Sequence, residues 1–252
     1  MQQASISINE CRLCGRLASL QESHVIPKAF FRRIKRGRSA LQSHDNPFVG
    51  NQPTQESWSQ RLLCFHCEQR ISSWEGYAID VLRFPYRRKV VIRRSHVEWE
   101  FFNIDYKKFR LFQMAVLFRS AVSTHEAFEH VRFNDPELDK LRYYLNSGEA
   151  PEEDEFPCLV EGLLEEDSPS LCERIIGAPK IYKGGYQTYI WYVFGGFNWY
   201  FVLPRLSQEE LSFQSYVSKA GYMRIPVMFP WQHPWLRKSM AMTAAKNASS
   251  LS

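Results

Sequence analysis

The sequence predicts an α+β protein in two units, and three observations carry that prediction. Two Cys-x-x-Cys pairs, Cys11/Cys14 and Cys64/Cys67, open and close the first eighty or so residues. Apolar residues recur at helical spacing over Tyr106 to Val122, and Pro136 to Asn146 reads as a second helix. Beyond them, Cys158 to Leu164, Tyr186 to Phe194 and Phe197 to Leu203 are aromatic and β-branched runs that suit an antiparallel sheet. Pro85 and the basic run Arg87-Arg88-Lys89 mark the boundary, giving units of 1–84 and 85–252.

The first unit begins with Cys11-Arg12-Leu13-Cys14-Gly15, a tight knuckle in which glycine can take the positive φ that brings backbone amides to sulfur. Ala18 to Ile26 reads as a strand, and Pro27 then permits a helix over Lys28 to Arg36. Residues 37–57 are rich in Gly, Asn, Gln, Ser and Pro and read as a loop or loose hairpin. A second knuckle, Leu62 to Cys67, leads into a helix over Glu68 to Leu82 with Ile71, Trp74, Ala78 and Leu82 along one face.

Four cysteines in two such pairs are expected to present four thiolates to one tetrahedral zinc ion, pinning the 49 residues between them at both ends; two unrelated thiol pairs or a redox Cys-x-x-Cys are the alternative. A disulfide framework does not suit the reducing compartment read below, and Cys158 and Cys172 lack metal spacing, which makes them core thiols.

The second unit opens with partial strand-like alternation over Val90 to Phe102. The most apolar stretch, Tyr189 to Leu203, is broken by Gly195-Gly196 and suits a hairpin rather than a membrane span. No stretch offers eighteen uninterrupted apolar residues and the first ten lack a secretion signal, so the expected location is cytoplasmic, with no membrane partner. Beyond about residue 236 few large apolar residues remain, which predicts a flexible tail or docking segment.

The net charge of +5 hides an asymmetry. Residues 1–110 hold 19 Lys and Arg against 10 Asp and Glu, and the remainder 13 against 17. A basic first part suits a phosphate-bearing partner, although a solvated surface gives the same count.

Between the cysteine pairs stands Ser23-His24-Val25-Ile26-Pro27-Lys28. Cys-x-x-Cys, then a strand with His-x-x-Pro, then Leu-Leu-Cys-x-x-Cys opening a helix, resembles the HNH nucleases of the ββα-metal, or His-Me finger, class over residues 11–82. The resemblance implies a zinc-stapled ββα-metal module followed by an α+β accessory domain. It implies an endonuclease that hydrolyses phosphodiester bonds in double-stranded DNA, with roles in phage defence or on mobile elements as the family's analogy.

By position His24 resembles the general base, and imidazole titrates in the range that role needs. The resemblance also implies a catalytic Mg²⁺ or Mn²⁺. Its expected ligands are Glu68, Ser23, which stands where the family has Asp or His, and Glu75, two turns further along the same helical face; Glu22 is held in reserve. Glu68 has an alternative role as a favourable charge at a helix N-terminus. Ser59 and Gln60 occupy the place of a family Asn, and Asn51 lies in the preceding loop.

Lys28, Arg32, Arg33, Lys35 and Arg36 are the expected nucleic-acid-binding residues, and Arg87, Arg88, Lys89, Arg93 and Arg94 extend that track. Phe30 and Phe31 belong to the core, and His66 is exposed. The competing reading is a non-catalytic, zinc-dependent nucleic-acid-binding subunit of a larger assembly, with a protein partner or a second copy docked on the accessory domain.

Overall fold

A computed structural model describes residues 8–31, 40–43, 52–54, 58–84, 88–93, 96–166, 168–206, 209–210, 215–234 and 236–237. The first strands are β1 (Ile8–Glu10) and β2 (Leu17–His24), followed by the single turn α1 (Lys28–Phe31), β3 (Ala40–Ser43), β4 (Gln52–Thr54) and β5 (Ser59–Cys64). Helix α2 (Phe65–Arg83) follows β5 without a break and stops at Phe84, whose extended backbone suits a residue placed before proline. Strands β6 (Arg88–Ile92) and β7 (Val97–Phe101) form a hairpin, and α3 (Tyr106–Val122) and α4 (Asp135–Ser147) come next. The chain ends in β8 (Cys158–Glu165), β9 (Ser168–Leu171), β10 (Ile175–Gly184), β11 (Gln187–Phe194), β12 (Phe197–Leu203) and β13 (Met223–Met228).

Two sheets organise these elements. A small antiparallel sheet runs β1-β2-β5, and a large one runs β4-β3-β10-β11-β12-β8-β13-β7-β6 with β9 beside β8. The protein is therefore mixed α+β. The large sheet departs from the antiparallel expectation, because β3 pairs parallel with β10 and β13 parallel with β8. Both arrive by long connections, and strand direction there is not dictated by a tight turn as it is in a hairpin. The β11–β12 turn is such a hairpin, with Gly195 and Gly196 at φ 66° and 83°.

Strands β3 and β4 lie in sequence between the two cysteine pairs, yet they pair with each other and join the edge of the large sheet. Phe30 of α1 packs on Phe194 with ring centroids 5.2 Å apart, and a Cβ on Gly195 would meet the Phe30 ring at 2.4 Å. Asn146 of α4 donates to Leu13 O at 3.0 Å, fixing the first knuckle to the second half of the chain. One apolar cluster runs from Cys11 to Val227. Contacts thus cross the expected boundary after residue 84 at several places.

Helix α3 sits at the centre, packed on α2 and α4 and, through Phe109 and Phe112, on Trp199 of the large sheet. Every residue from Phe109 to Ser120 is buried, whereas the sequence pattern marked only one apolar side. That burial includes Arg110, Gln113 and Arg119. Among the described residues no helix is long and apolar enough to cross a membrane.

Candidate functional site

The four knuckle cysteines converge. Their sulfur atoms all lie within 4.8 Å of one another, and Cys14 Sγ and Cys64 Sγ are 3.8 Å apart. A tetrahedron with metal–sulfur distances of about 2.3 Å has edges of about 3.8 Å, so the donor set fits zinc. Gly15, at φ 72°, turns the chain tightly enough for its amide to donate to Cys11 O at 2.9 Å. The amide of Cys64 donates to Cys11 Sγ at 3.3 Å, and Arg70 Nη2 lies 3.8 Å from Cys67 Sγ. With protons alone the thiols cannot all ionise: the Cys67 thiol hydrogen-bonds Cys11 and pushes it down to about 4, and the same contact raises Cys67. A divalent cation relieves that conflict.

The cluster ties β2 and β5 to the start of α2. Antiparallel pairing sets Leu20 against Cys64 and His24 against Ser59, with a shift where Leu62 has no partner residue on β2. Burial on β2 accordingly passes from Leu20 to Ser23, out of the two-residue period of a regular strand. Ser23 is wholly buried and His24 half-buried at the strand end. Burial lowers the His24 pKa first, the Lys28 cation lowers it further, and Glu22, Arg119 and Glu75 also act on the ring.

Glu68 lies in the first turn of α2 facing the same region. Its carboxyl is shifted upward by burial, against the pull of Arg119 and of a hydrogen bond with Ser23, while Glu75 and Cys11 push the same way as burial. Glu68 Oε1 is buried and, among the described residues, has no hydrogen-bond partner. Such an orphan oxygen is costly unless a proton or a cation occupies it. Ser23 and Glu68 are therefore brought together, and His24 and Glu68 both feel the charges of Arg119 and Glu75.

Glu75 falls in a different environment. Its Oε1 accepts a hydrogen bond from Arg119 Nη2, and the Arg119 side chain is 1 % exposed against 16 % for Glu75. The carboxylate expected as a metal ligand is thus claimed by a buried guanidinium. Arg119 is the site residue that sequence reasoning missed, and its signal was an arginine inside the apolar run of α3. Glu22, the reserve ligand, is exposed and accepts from Ser59 Oγ at 2.6 Å, which lowers its pKa.

Gln60 pairs with Ser23 across β2 and β5, but its side chain turns to α3. Its Oε1 accepts from Thr124 N at 3.0 Å and Ser123 Oγ at 3.2 Å, latching β5 to the end of α3. Asn51 lies outside the described residues.

Of the expected phosphate-binding residues, Lys28 is exposed and adjacent to His24, whereas Arg32, Arg33, Lys35 and Arg36 lie outside the described residues, as do Arg87, Arg94 and the chain beyond 237. Two members of the second basic run are engaged within the fold. Arg88 stacks 4.0 Å over Trp99 and donates to Leu82 O at 3.2 Å, and Arg93 Nε donates to Glu98 Oε2 at 3.1 Å. Phe30 and Phe31 are buried, His66 is exposed, and Cys158 and Cys172 are buried. No protein-family model, no curated protein and no solved structure matches this chain.

Proposed function

We propose that the chain is a metal-dependent HNH-type endonuclease acting on double-stranded DNA. The observation that carries this reading is the buried Glu68 Oε1, which lacks a partner among the described residues and shares the charges of Arg119 and Glu75 with half-buried His24, beside a cluster of four cysteines. Glu68, with Ser23 beside it, would hold Mg²⁺ or Mn²⁺. One carboxylate and a hydroxyl are a sparse set, which suits an ion that keeps waters and takes substrate phosphate oxygens. When bound, the ion neutralises charge on the phosphate and the departing oxygen.

The chain's own part is proton transfer and alignment. His24, whose pKa is lowered by burial and the nearby Lys28, accepts a proton from water as its oxygen attacks phosphorus; the P–O3′ bond breaks, and solvent protonates the departing oxygen. Lys28, at the outer end of the same segment, meets a neighbouring phosphate. Arg119 holds Glu75 aside and lends its charge to Glu68, so it is a positioning residue.

Nicking of supercoiled plasmid in Mg²⁺ or Mn²⁺, with and without chelator, tests the proposal. Wild type cuts only with metal, His24→Ala loses about 10²–10⁴-fold in rate, and Glu68→Ala loses metal-dependent cutting. A His24→Ala variant that cuts as well as wild type refutes the assignment. The absence of an acid at Ser23 and the loss of Glu75 to Arg119 favour a second reading, a nucleic-acid-binding zinc module without catalysis, which predicts salt-sensitive DNA binding and no cutting by wild type.

A further inference from the structure

The large sheet has two faces of different character. One carries Trp199 and its neighbours against α3, and the other carries a cavity of about 690 Å³. Its lining includes Tyr182, Tyr189, Tyr200, Glu161, Glu98 and Arg224. Register explains how these residues meet. Tyr182 pairs with Tyr189, Tyr200 with Leu159 and Asn198 with Glu161, while Pro226 faces Glu98 on the neighbouring pair. All point to the face opposite Trp199, because side chains alternate along each strand.

The polar groups of the cavity are unevenly satisfied. Among the described residues, the hydrogen bonds to Glu161 come from Asn198 Nδ2 at 3.1 Å and Tyr200 Oη at 2.8 Å, and both end on Oε2. Burial shifts this carboxyl upward, so a donor at Oε1 would stabilise its charged form. Two strands away, Glu98 is already served by Arg93 at 3.1 Å and His96 at 3.2 Å. Arg224 stands 3.9 Å from it, outside hydrogen-bond distance, with guanidinium donors to spare among the described residues. Glu161 and Glu98 flank Pro226 across three strands, a lateral span of about 10 Å.

We propose that this cavity binds a nucleoside monophosphate, with the base against the tyrosine rings, its N–H donors on Glu161 Oε1 and its phosphate on Arg224. Flat rings suit base stacking, an open carboxylate oxygen suits amino and imino donors, and the arginine of the lining suits phosphate. An alkylammonium ligand would suit Glu161 and the rings but would leave the spare donors of Arg224 without an acceptor. A wholly apolar ligand would leave Oε1 without a donor. The volume lies within the range of small-molecule pockets. The site is separated from His24 by the sheet and α3, so the inference stands apart from the nuclease reading.

Calorimetric titration of the full chain with AMP, GMP, CMP and UMP, their nucleosides and tetramethylammonium tests it. At least one nucleotide binds at a single site, and its nucleoside binds about tenfold or more weakly. Glu161→Gln weakens the nucleotide by a similar factor, and Arg224→Gln abolishes the nucleotide's advantage over its nucleoside. Tyr200→Phe keeps the ring and binds, which separates stacking from a general loss of fold. Wild type that binds none of the four nucleotides at millimolar concentration overturns the proposal. So does tetramethylammonium binding in their place, or wild-type affinity in both Glu161→Gln and Arg224→Gln. If Glu161→Gln fails to fold, wild type and Arg224→Gln decide the matter alone.

Discussion

Removing Arg119 leaves the Glu75 carboxylate without its counter-charge on the same helix face as Glu68, whose own carboxyl Glu75 already disfavours ionising. The arginine side chain is 1 % exposed, so little solvent is available to replace the lost partner. Breaking such a buried pair from one side costs about 3–5 kcal/mol. For a protein of this size that lowers Tm by about 6–20 °C. Replacing both partners by apolar residues is far less costly, because no uncompensated charge remains. Arg119→Met and Glu75→Leu should therefore each melt well below wild type, and the double variant should recover most of the loss in a double-mutant cycle followed by circular dichroism. A double variant as unstable as the sum of the singles would refute the reasoning. It would mean that each side chain acts through other contacts.

Further outcomes follow from the same coordinates. Metal analysis of the purified chain should find one zinc ion, and its removal by a strong chelator, or by Cys64→Ser, should abolish the folded signal of the small sheet and α2, whereas removal of Mg²⁺ leaves that signal unchanged. The fold lowers the His24 pKa, chiefly by burial, so the unfolded chain takes up its proton more readily. Stability contributed by this residue is present above pH 6.5 and is lost as pH falls below that value, and His24→Gln flattens that part of a Tm-against-pH curve. Gly195→Ala forces a Cβ into the Phe30 ring at 2.4 Å and strains a φ of +66°, so denaturant titration should show a loss of about 2–4 kcal/mol. A loss under 0.5 kcal/mol would show that α1 can retreat from the turn without cost.

Local chemistry was legible in the sequence and long-range topology was not. The knuckles, Gly15, α3 to the residue, the β11–β12 hairpin and the buried Phe30 and Phe31 all follow from spacing, turn residues or periodicity within a short window. Strands β10 and β13 escaped because their patterns are broken by Gly177, Pro179 and Pro226, and sheet partners decided what propensity did not. At the candidate site, Ser23, His24 and Glu68 are near neighbours of the cysteine pairs and could be read from them. Arg119 lies 44 residues beyond Glu75 and was invisible until the packing of α2 on α3 brought the two together. A separation of 64 residues likewise hid Gln60's attachment to Thr124.

The parallel pairing of β3 with β10 joins residues 40–43 to residues 175–177. Since β3 lies between the two halves of the cysteine cluster, the loop of chain that a metal on those cysteines would close also forms part of the edge of the large sheet. Breathing of that edge and release of the metal thus share a mechanical linkage. Amide hydrogens of β3 and of the knuckles should exchange with solvent in one cooperative unit rather than as two separate ones, and zinc dissociation should slow whenever the β10 edge is stabilised.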